Sequence, residues 1–460
     1  MSDQASCFTA YDIRGKVPEQ LNEKLAARIG AAYVEETGAR KIVVGYDMRL
    51  TSKALASALI SSLTEQGSEV IDIGLCGTEE VYYKVFSGIN EGVDGGIMIT
   101  ASHNPAEYNG MKLVGRGAQP VAGASGLNAI KARINDARWI ARYEKKKVNS
   151  AGTHVRLDKK QPYIDHLLSY VDPEKMQPFT IVVNPGNGCA GPIIDLLEPH
   201  LPFTFIKIYD QPDGSFPNGV PNPLLPEKRV ATAEMVQQAE ADMGVAWDGD
   251  FDRCFLYDEQ GRFIEGVYIV ALLAAAILRR HPGALILHDP RSIWNTIETV
   301  RAAGGKPIMT RTGHALIKEK MRECDAVYGG EMSAHHYFRS FGYCDSGMIP
   351  WLLVTQLISS RQQPLSTLVD DMMRAFPVSG EINSSVHDPD EVIRLLEEKY
   401  QQGEIDRTDG LSVSFADYRF NVRKSNTEPL LRLNVETRGD KALLRSKTEE
   451  ILKVIRNNLR

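Results

Sequence analysis

The sequence predicts an α/β protein built from three related mixed units and closed by a smaller α+β unit. Helical stretches alternate with short β-branched runs through most of its 460 residues, which is the pattern of βαβ units and a largely parallel sheet. A strand–loop–helix–strand module recurs three times, each time ending in a polar loop flanked by glycine. Near Pro364 the pattern changes to two helices, three strands and a closing amphipathic helix. The length fits three or four domains at about 150 residues or somewhat less each. The expected boundaries are 1–150, 151–253, 254–363 and 364–460.

In the first unit, periodicity predicts a helix over 19–36, strands over 41–46, 69–73 and 95–99, and a helix over 52–66. Arg14 falls in the glycine-punctuated loop Tyr11-Asp12-Ile13-Arg14-Gly15, and Tyr108-Asn109-Gly110 reads as a turn before a strand that holds Lys112. The polar stretch 142–152 reads as a linker. The second unit has strands over 179–183, 203–209 and 244–247, helices over 192–197 and 231–241, and a Pro/Gly/Asn-rich ordered loop over 211–227. The third has a buried apolar helix over 267–278, strands over 284–287, 307–309 and 326–328, and helices over 293–303 and 315–322. The last unit has helices over 365–375, 389–401 and 441–457 with strands over 411–415, 418–422 and 430–436.

Four loops carry chemistry. The glycine-bounded apolar strand 95–99 runs into Thr100-Ala101-Ser102-His103-Asn104-Pro105, and ligands of α/β sheets gather at such strand exits. Ser102 is a nucleophile with the imidazole of His103 beside it, or an ordinary turn serine. The strand over 244–247 runs into Asp248-Gly249-Asp250-Phe251-Asp252-Arg253. Three carboxylates this close repel one another, a divalent cation resolves the repulsion, and hard oxygen ligands point to Mg²⁺ or Ca²⁺. An EF-hand is excluded, because Arg253 stands where that loop needs glycine and both flanks read as strands. Glu331, Ser333 and His335 alternate, which on an extended segment aims them to one side. Glu and Ser suit the vicinal hydroxyls of a sugar; an ordinary polar loop is the alternative. Arg423-Lys424-Ser425-Asn426-Thr427 offers many donors and no acid, a cradle for an anion such as phosphate or else a solvated hairpin turn.

Composition narrows the classes. With 43% apolar and 24% charged residues and a net charge of −6, there is no general reason to expect nucleic-acid or membrane binding. Six scattered cysteines without a CxxC pair fit free thiols in a reducing cytosol. No signal peptide opens the sequence and no apolar run reaches the roughly 20 residues of a membrane span, so a cytoplasmic protein is expected. Its oligomeric state is not encoded in any pattern.

Taken together, Ser102, the aspartate trio, the Glu-Ser-His loop and the Arg-Ser-Asn-Thr loop resemble the α-D-phosphohexomutase superfamily, and within it the bacterial phosphomannomutases. The resemblance covers nearly the whole chain with its motifs in the family's order. It implies four domains around a central cleft, three of related α/β topology and a separate last one. It implies that Ser102 carries a phosphoryl group and that Asp248, Asp250 and Asp252 bind Mg²⁺ alongside it. Arg291, Glu331, Ser333 and His335 would contact the sugar, and Arg423, Ser425, Asn426 and Thr427 the phosphate not being transferred. Arg14, His103, Lys112 and His314 would serve phosphoryl transfer and proton handling, the base being Lys112 or His314. Phe251 departs from the family, whose metal loop frequently has glycine there. Hexose phosphates and a hexose 1,6-bisphosphate are the implied partners, in an isomerase linking mannose 6-phosphate to mannose 1-phosphate for GDP-mannose supply. A phosphoglucomutase or dual-specificity enzyme is the alternative, since the two hexoses differ only at C2. An aspartyl-nucleophile phosphatase acting through Asp248, and a sugar-phosphate-binding protein without chemistry, are the rival classes.

Overall fold

The computed structural model describes residues 6–145, 151–424 and 430–457. They form two compact units, Met1–Phe263 with Ser340–Gln362 and Ile264–Arg339 with Gln363–Arg460.

The first unit holds two sheets. One has six strands in the order Ile13–Lys16, Tyr108–Gly115, Gly95–Ile99, Lys41–Tyr46, Glu69–Leu75, His154–Arg156. The last four are parallel to one another, while Ile13–Lys16 and Tyr108–Gly115 run antiparallel to their neighbours. Gly95–Ile99 is buried along its whole length, as its glycine-bounded apolar run predicts. Helices Glu23–Thr37 and Ser52–Glu65 cover this sheet through Leu25, Ile29, Leu55 and Leu59. The first begins later than periodicity suggested, because Asn22 caps it by accepting from the Leu25 N–H at 3.0 Å.

Two expectations here are corrected. Arg14 lies on strand Ile13–Lys16, not in a loop, and Asn109-Gly110 lies inside strand Tyr108–Gly115, not in a turn. The reason is shared. A Cβ on Gly110 would fall 2.0 Å from the Ile13 carbonyl and 2.7 Å from Arg14 Nη1, so the glycine makes room for a neighbouring strand and its guanidinium. The stretch read as the start of a linker is partly helical, Ala137–Lys145, anchored by Trp139, whose indole N–H donates to Glu35 at 2.8 Å.

The other sheet of this unit runs Cys254–Tyr257, Met243–Trp247, Thr180–Asn184, Thr204–Lys207. The last three strands are parallel; the first returns antiparallel to Met243–Trp247 with Trp247 opposite Cys254. The aspartate loop is the connection between those two antiparallel strands. Helix Ile349–Arg361 belongs to this unit and packs Trp351 edge-on against Trp247, ring centroids 6.5 Å apart.

In the second unit, strands Lys306–Met309, Leu285–His288, Tyr328–Gly330 and His336–Phe338 lie in that order, the first three parallel. The apolar run forms the buried helix Gly266–Leu278. The C-terminal sheet is antiparallel throughout, in the order Ile382–Ser385, Leu430–Thr437, Tyr418–Lys424, Leu411–Ser414, Glu404–Asp406. Helices Pro389–Lys399 and Lys441–Arg456 cover it through Leu396, Ile451 and Ile455. The segment with Glu331, Ser333 and His335 is a tight turn and not extended: Ala334 has φ 68° and its N–H donates to the Glu331 carbonyl at 3.0 Å. Among the described residues no helix is long and apolar enough to cross a membrane.

Candidate active site

The Ser102 loop leaves strand Gly95–Ile99 under tight backbone control. Ser102 adopts φ 49°, a left-handed conformation costly for a non-glycine residue, and its N–H donates to Thr100 Oγ1 at 2.9 Å. Arg49 holds the loop in place. Its guanidinium donates to the carbonyls of Ser102 (2.9 Å), Asn104 (2.5 Å), Pro105 (2.8 Å) and Tyr108 (2.9 Å). Asp47 stands 3.5 Å from Arg49 Nε and also accepts from Ser52 Oγ at 2.5 Å. Arg49→Ala leaves Asp47 buried without its cation, so an unfolding free energy lower by about 3–5 kcal/mol is expected in denaturant titration. A loss below about 1 kcal/mol would show that the guanidinium does not hold the loop.

Ser102 itself is buried. Its hydroxyl donates to Asp248 Oδ2 at 2.7 Å and lies 3.0 Å from His103 Nδ1, with Arg253 Nη2 at 3.3 Å. Burial, then the neighbouring Arg253 and Arg14, push His103 well below the ordinary histidine range, so the imidazole is neutral. The single Ser102 proton goes to Asp248 Oδ2, while Arg253 Nη2 donates to His103 Nδ1 and lies close to the Ser102 oxygen. Arg14 reaches the same loop by donating to the Thr100 carbonyl, with Asp12 at 3.2 Å behind it.

Asp248, Asp250 and Asp252 are all buried, with one oxygen of each within 4.8 Å of the others. Lys112 Nζ bridges two of them, 2.8 Å from Asp250 Oδ2 and in contact with Asp252 Oδ2. Burial alone would lower the Lys112 ammonium, but Asp250 and Asp252 outweigh it and hold the proton on. Arg253 Nε lies 2.9 Å from Asp248 Oδ2. Burial nonetheless raises the Asp248 carboxyl above the usual carboxylate range. Asp248 Oδ1 and Asp250 Oδ1 are buried and have no hydrogen-bond partner among the described residues. Three hard oxygen donors, two of them with an unsatisfied second oxygen, fit a divalent cation.

The loop is braced from helix Thr78–Ser87. Thr78 Oγ1 donates to Asp250 Oδ2 at 2.5 Å and the Thr78 N–H to the Asp250 carbonyl at 3.0 Å. Phe251 adopts φ 44°, the conformation glycine takes most easily, and is fully buried. Its ring lies where a Cβ on Gly77 would be, 2.1 Å from that position, so the bulk at 251 is accommodated by its absence at 77.

In the second unit a separate polar group forms. Arg291, almost fully buried, donates to Asp289 Oδ2 at 2.6 Å and Ser333 Oγ at 3.2 Å, and lies 3.5 Å from Glu331 Oε1. Glu331 accepts from Tyr337 Oη at 2.5 Å and the Gly313 N–H at 3.2 Å, and stands 3.4 Å from His335 Nδ1. Burial works against its ionisation, but His335, Arg291 and Tyr337 hold its carboxyl well below the ordinary range. The turn thus brings Glu331, Ser333 and His335 together where alternation on a strand was expected. His314 opens helix His314–Cys324, next to the Gly313 N–H that reaches Glu331. Arg423 lies near the end of strand Tyr418–Lys424; Ser425, Asn426 and Thr427 lie outside the described residues. Arg419, also buried, donates to the carbonyls of Pro290 at 2.6 Å and Arg291 at 3.0 Å.

Sequence reasoning missed Arg49, Thr78, Glu381 and Arg419. For Arg49 the acid–x–arginine spacing to Asp47 after a buried strand is a usable signal. Thr78 meets Asp250 across 172 residues and carries none.

Comparison with known proteins agrees with this arrangement. Four family models match in order: phosphoglucomutase/phosphomannomutase alpha/beta/alpha domain I over residues 5–140, domain II over 161–261, domain III over 265–376, and the C-terminal domain over 381–454. The chain is 55% identical over 459 residues to a phosphomannomutase of Salmonella montevideo, covering 98% of this chain and 99% of that one. It is also 55% identical over 451 residues to a protein of Xanthomonas campestris pv. campestris named phosphohexose mutases, with the same coverage. A crystal structure of a phosphoglucomutase/phosphomannomutase family protein from Burkholderia thailandensis superposes with a TM-score of 0.86 at 30% identity, over 100% of this chain and 99% of that one. The chain belongs to the phosphoglucomutase/phosphomannomutase family.

Proposed function

We propose that this chain interconverts mannose 6-phosphate and mannose 1-phosphate through a phosphoserine at Ser102 and a hexose 1,6-bisphosphate. It is an isomerase of the phosphohexomutase kind, and relatives named phosphomannomutase match its full length. The observation that carries the mechanism is Ser102 Oγ, 2.7 Å from the first of three buried carboxylates and under the Arg253 guanidinium.

In the first half-reaction a hydroxyl oxygen of the hexose phosphate attacks the phosphorus of phospho-Ser102. The bond from phosphorus to Ser102 Oγ breaks as the bond to the sugar oxygen forms. The hydroxyl proton passes to His314, since Asp250 and Asp252 keep Lys112 protonated, and Ser102 Oγ takes up a proton from Asp248. The bisphosphate then presents its other phosphate. Ser102 Oγ attacks that phosphorus as its bond to the sugar oxygen breaks; the Ser102 proton passes to Asp248 Oδ2, and the freed sugar oxygen takes back the proton held since the first half-reaction. Arg14, Lys112 and Arg253 supply positive charge where a phosphoserine brings about −1.5 to −2. Asp248, Asp250 and Asp252 would hold Mg²⁺, which when bound neutralises phosphate charge beside Ser102. Arg291, Glu331, Ser333 and His335 address the sugar, and Arg423 the phosphate that stays put.

The test is turnover on mannose 1-phosphate against glucose 1-phosphate with a bisphosphate activator. A clear preference in kcat/KM for the mannose substrate is expected. Equal rates would replace the reading with a dual-specificity phosphohexomutase, and no isomerisation of either would overturn it.

A further inference from the structure

Arg423 and Arg432 stand directly opposite each other on the neighbouring antiparallel strands Tyr418–Lys424 and Leu430–Thr437. Like charges in that position destabilise a sheet. Glu381, just before edge strand Ile382–Ser385, answers both: its Oε2 lies 3.4 Å from Arg423 Nη2 and its Oε1 3.1 Å from Arg432 Nη1. The same Oε2 lies 3.4 Å from Arg291 Nη1. Three guanidiniums from three stretches of chain thus converge on one carboxylate. Two of the three contacts are long beside the 2.6 Å between Arg291 and its own partner Asp289. The Nε groups of Arg291 and Arg423 are buried and have no hydrogen-bond partner among the described residues. Planar guanidiniums with spare donors around a loosely held carboxylate suit an anion with more oxygens than a carboxylate has.

We propose that Glu381 is a positioning residue that serves as the resident counter-anion of this arginine cradle, yielding its guanidiniums to a sugar phosphate on binding and reclaiming them on release. The inference rests on reading Arg423 as part of the phosphate site. In the ligand-free protein Glu381 makes the facing arginines compatible. In the working enzyme it competes with phosphate, so that a doubly charged group leaves the cradle as readily as it enters. Burial opposes ionisation of Glu381, yet Arg291, Arg432 and Arg423 hold its carboxyl below the usual range, so it carries its charge at neutral pH. Removing that charge should tighten binding and slow release together.

Titration calorimetry with inorganic phosphate on the full chain tests this, alongside steady-state kinetics. Glu381→Gln should bind phosphate about tenfold more tightly, with KM and kcat both lowered, while Glu381→Asp stays near the unaltered protein. A Glu381→Gln protein that folds only when phosphate is supplied supports the same conclusion; one that stays unfolded in phosphate overturns it. Arg423→Ala separates the two layers of the argument. If it weakens phosphate binding while Glu381→Gln leaves binding unchanged or weaker, the counter-anion role is wrong and the cradle stands. If Arg423→Ala leaves phosphate binding unchanged, the cradle reading itself fails.

Discussion

Ser102→Ala is expected to lower kcat by roughly three orders of magnitude or more, and to leave the fold intact. The hydroxyl is the only atom lost, and its hydrogen bond to Asp248 is 2.7 Å in a pocket that already holds Arg253 and Lys112. Removing the donor leaves Asp248 with the Arg253 pair, so the stability cost is about 1–3 kcal/mol. On the proposed mechanism, catalysis loses its covalent carrier altogether. A bisphosphate activator rescues an enzyme that has merely lost its phosphate, but it should not rescue this variant. Mutase turnover in Ser102→Ala within about tenfold of the unaltered protein would mean that the phosphoryl group travels by another residue.

Asp250→Asn is the second large effect. The amide keeps the side chain's shape, and its oxygen can still accept from Thr78 Oγ1, which stands 2.5 Å from Asp250 Oδ2. It removes one of the two carboxylates that Lys112 bridges and one of three candidate cation ligands. Loss of like-charge repulsion offsets loss of the Lys112 pair, so the melting temperature without metal should stay close to that of the unaltered protein. Activity should fall on the order of 10²-fold or more. A second readout does not depend on turnover. Binding to the folded state alone raises stability by about 2.7 kcal/mol at a hundred times Kd, so Mg²⁺ should raise the melting temperature of the unaltered chain and not that of Asp250→Asn. An equal Mg²⁺-dependent shift in both proteins would place the cation elsewhere, and full activity after chelation would remove it from the mechanism.

What was legible in the sequence was whatever local pattern determines. The run Gly95 to Ile99 reads as a buried strand because it is one, and Ser102 follows at its exit. Three aspartates at alternate positions between two strands stand out because such close like charges need positive charge nearby, which in the fold Lys112 and Arg253 supply in part. Gly15 makes Arg14 read as a loop residue, and the Asn109-Gly110 pair separately reads as a turn. In the fold those glycines serve close packing: a Cβ on Gly15 would lie 2.7 Å from Cys7 Cβ, and one on Gly110 would strike the neighbouring strand. Local propensity cannot distinguish a glycine that turns the chain from one that lets two strands approach. The Glu331 to His335 segment shows the converse. The residues do meet, but through a turn with Ala334 at φ 68°, a conformation that alternation in sequence does not reveal. Helix Thr78–Ser87 escaped because it is short and rich in tyrosine and valine, and with it went Thr78, the brace of Asp250. The convergence of Arg291, Arg423 and Arg432 on Glu381 was equally hidden, because it depends on strand register and not on spacing.

The measurement that bears most directly on the central claim is the position of the phosphoryl group. The chain is charged with a hexose 1,6-bisphosphate, then digested and mapped by mass spectrometry under conditions that preserve both phosphoserine and acyl phosphate. The account predicts one added phosphoryl group, about 80 Da, on the peptide containing Ser102, discharged when mannose 1-phosphate or mannose 6-phosphate is added. A phosphoryl group on Asp248, with Ser102 unmodified, would contradict it.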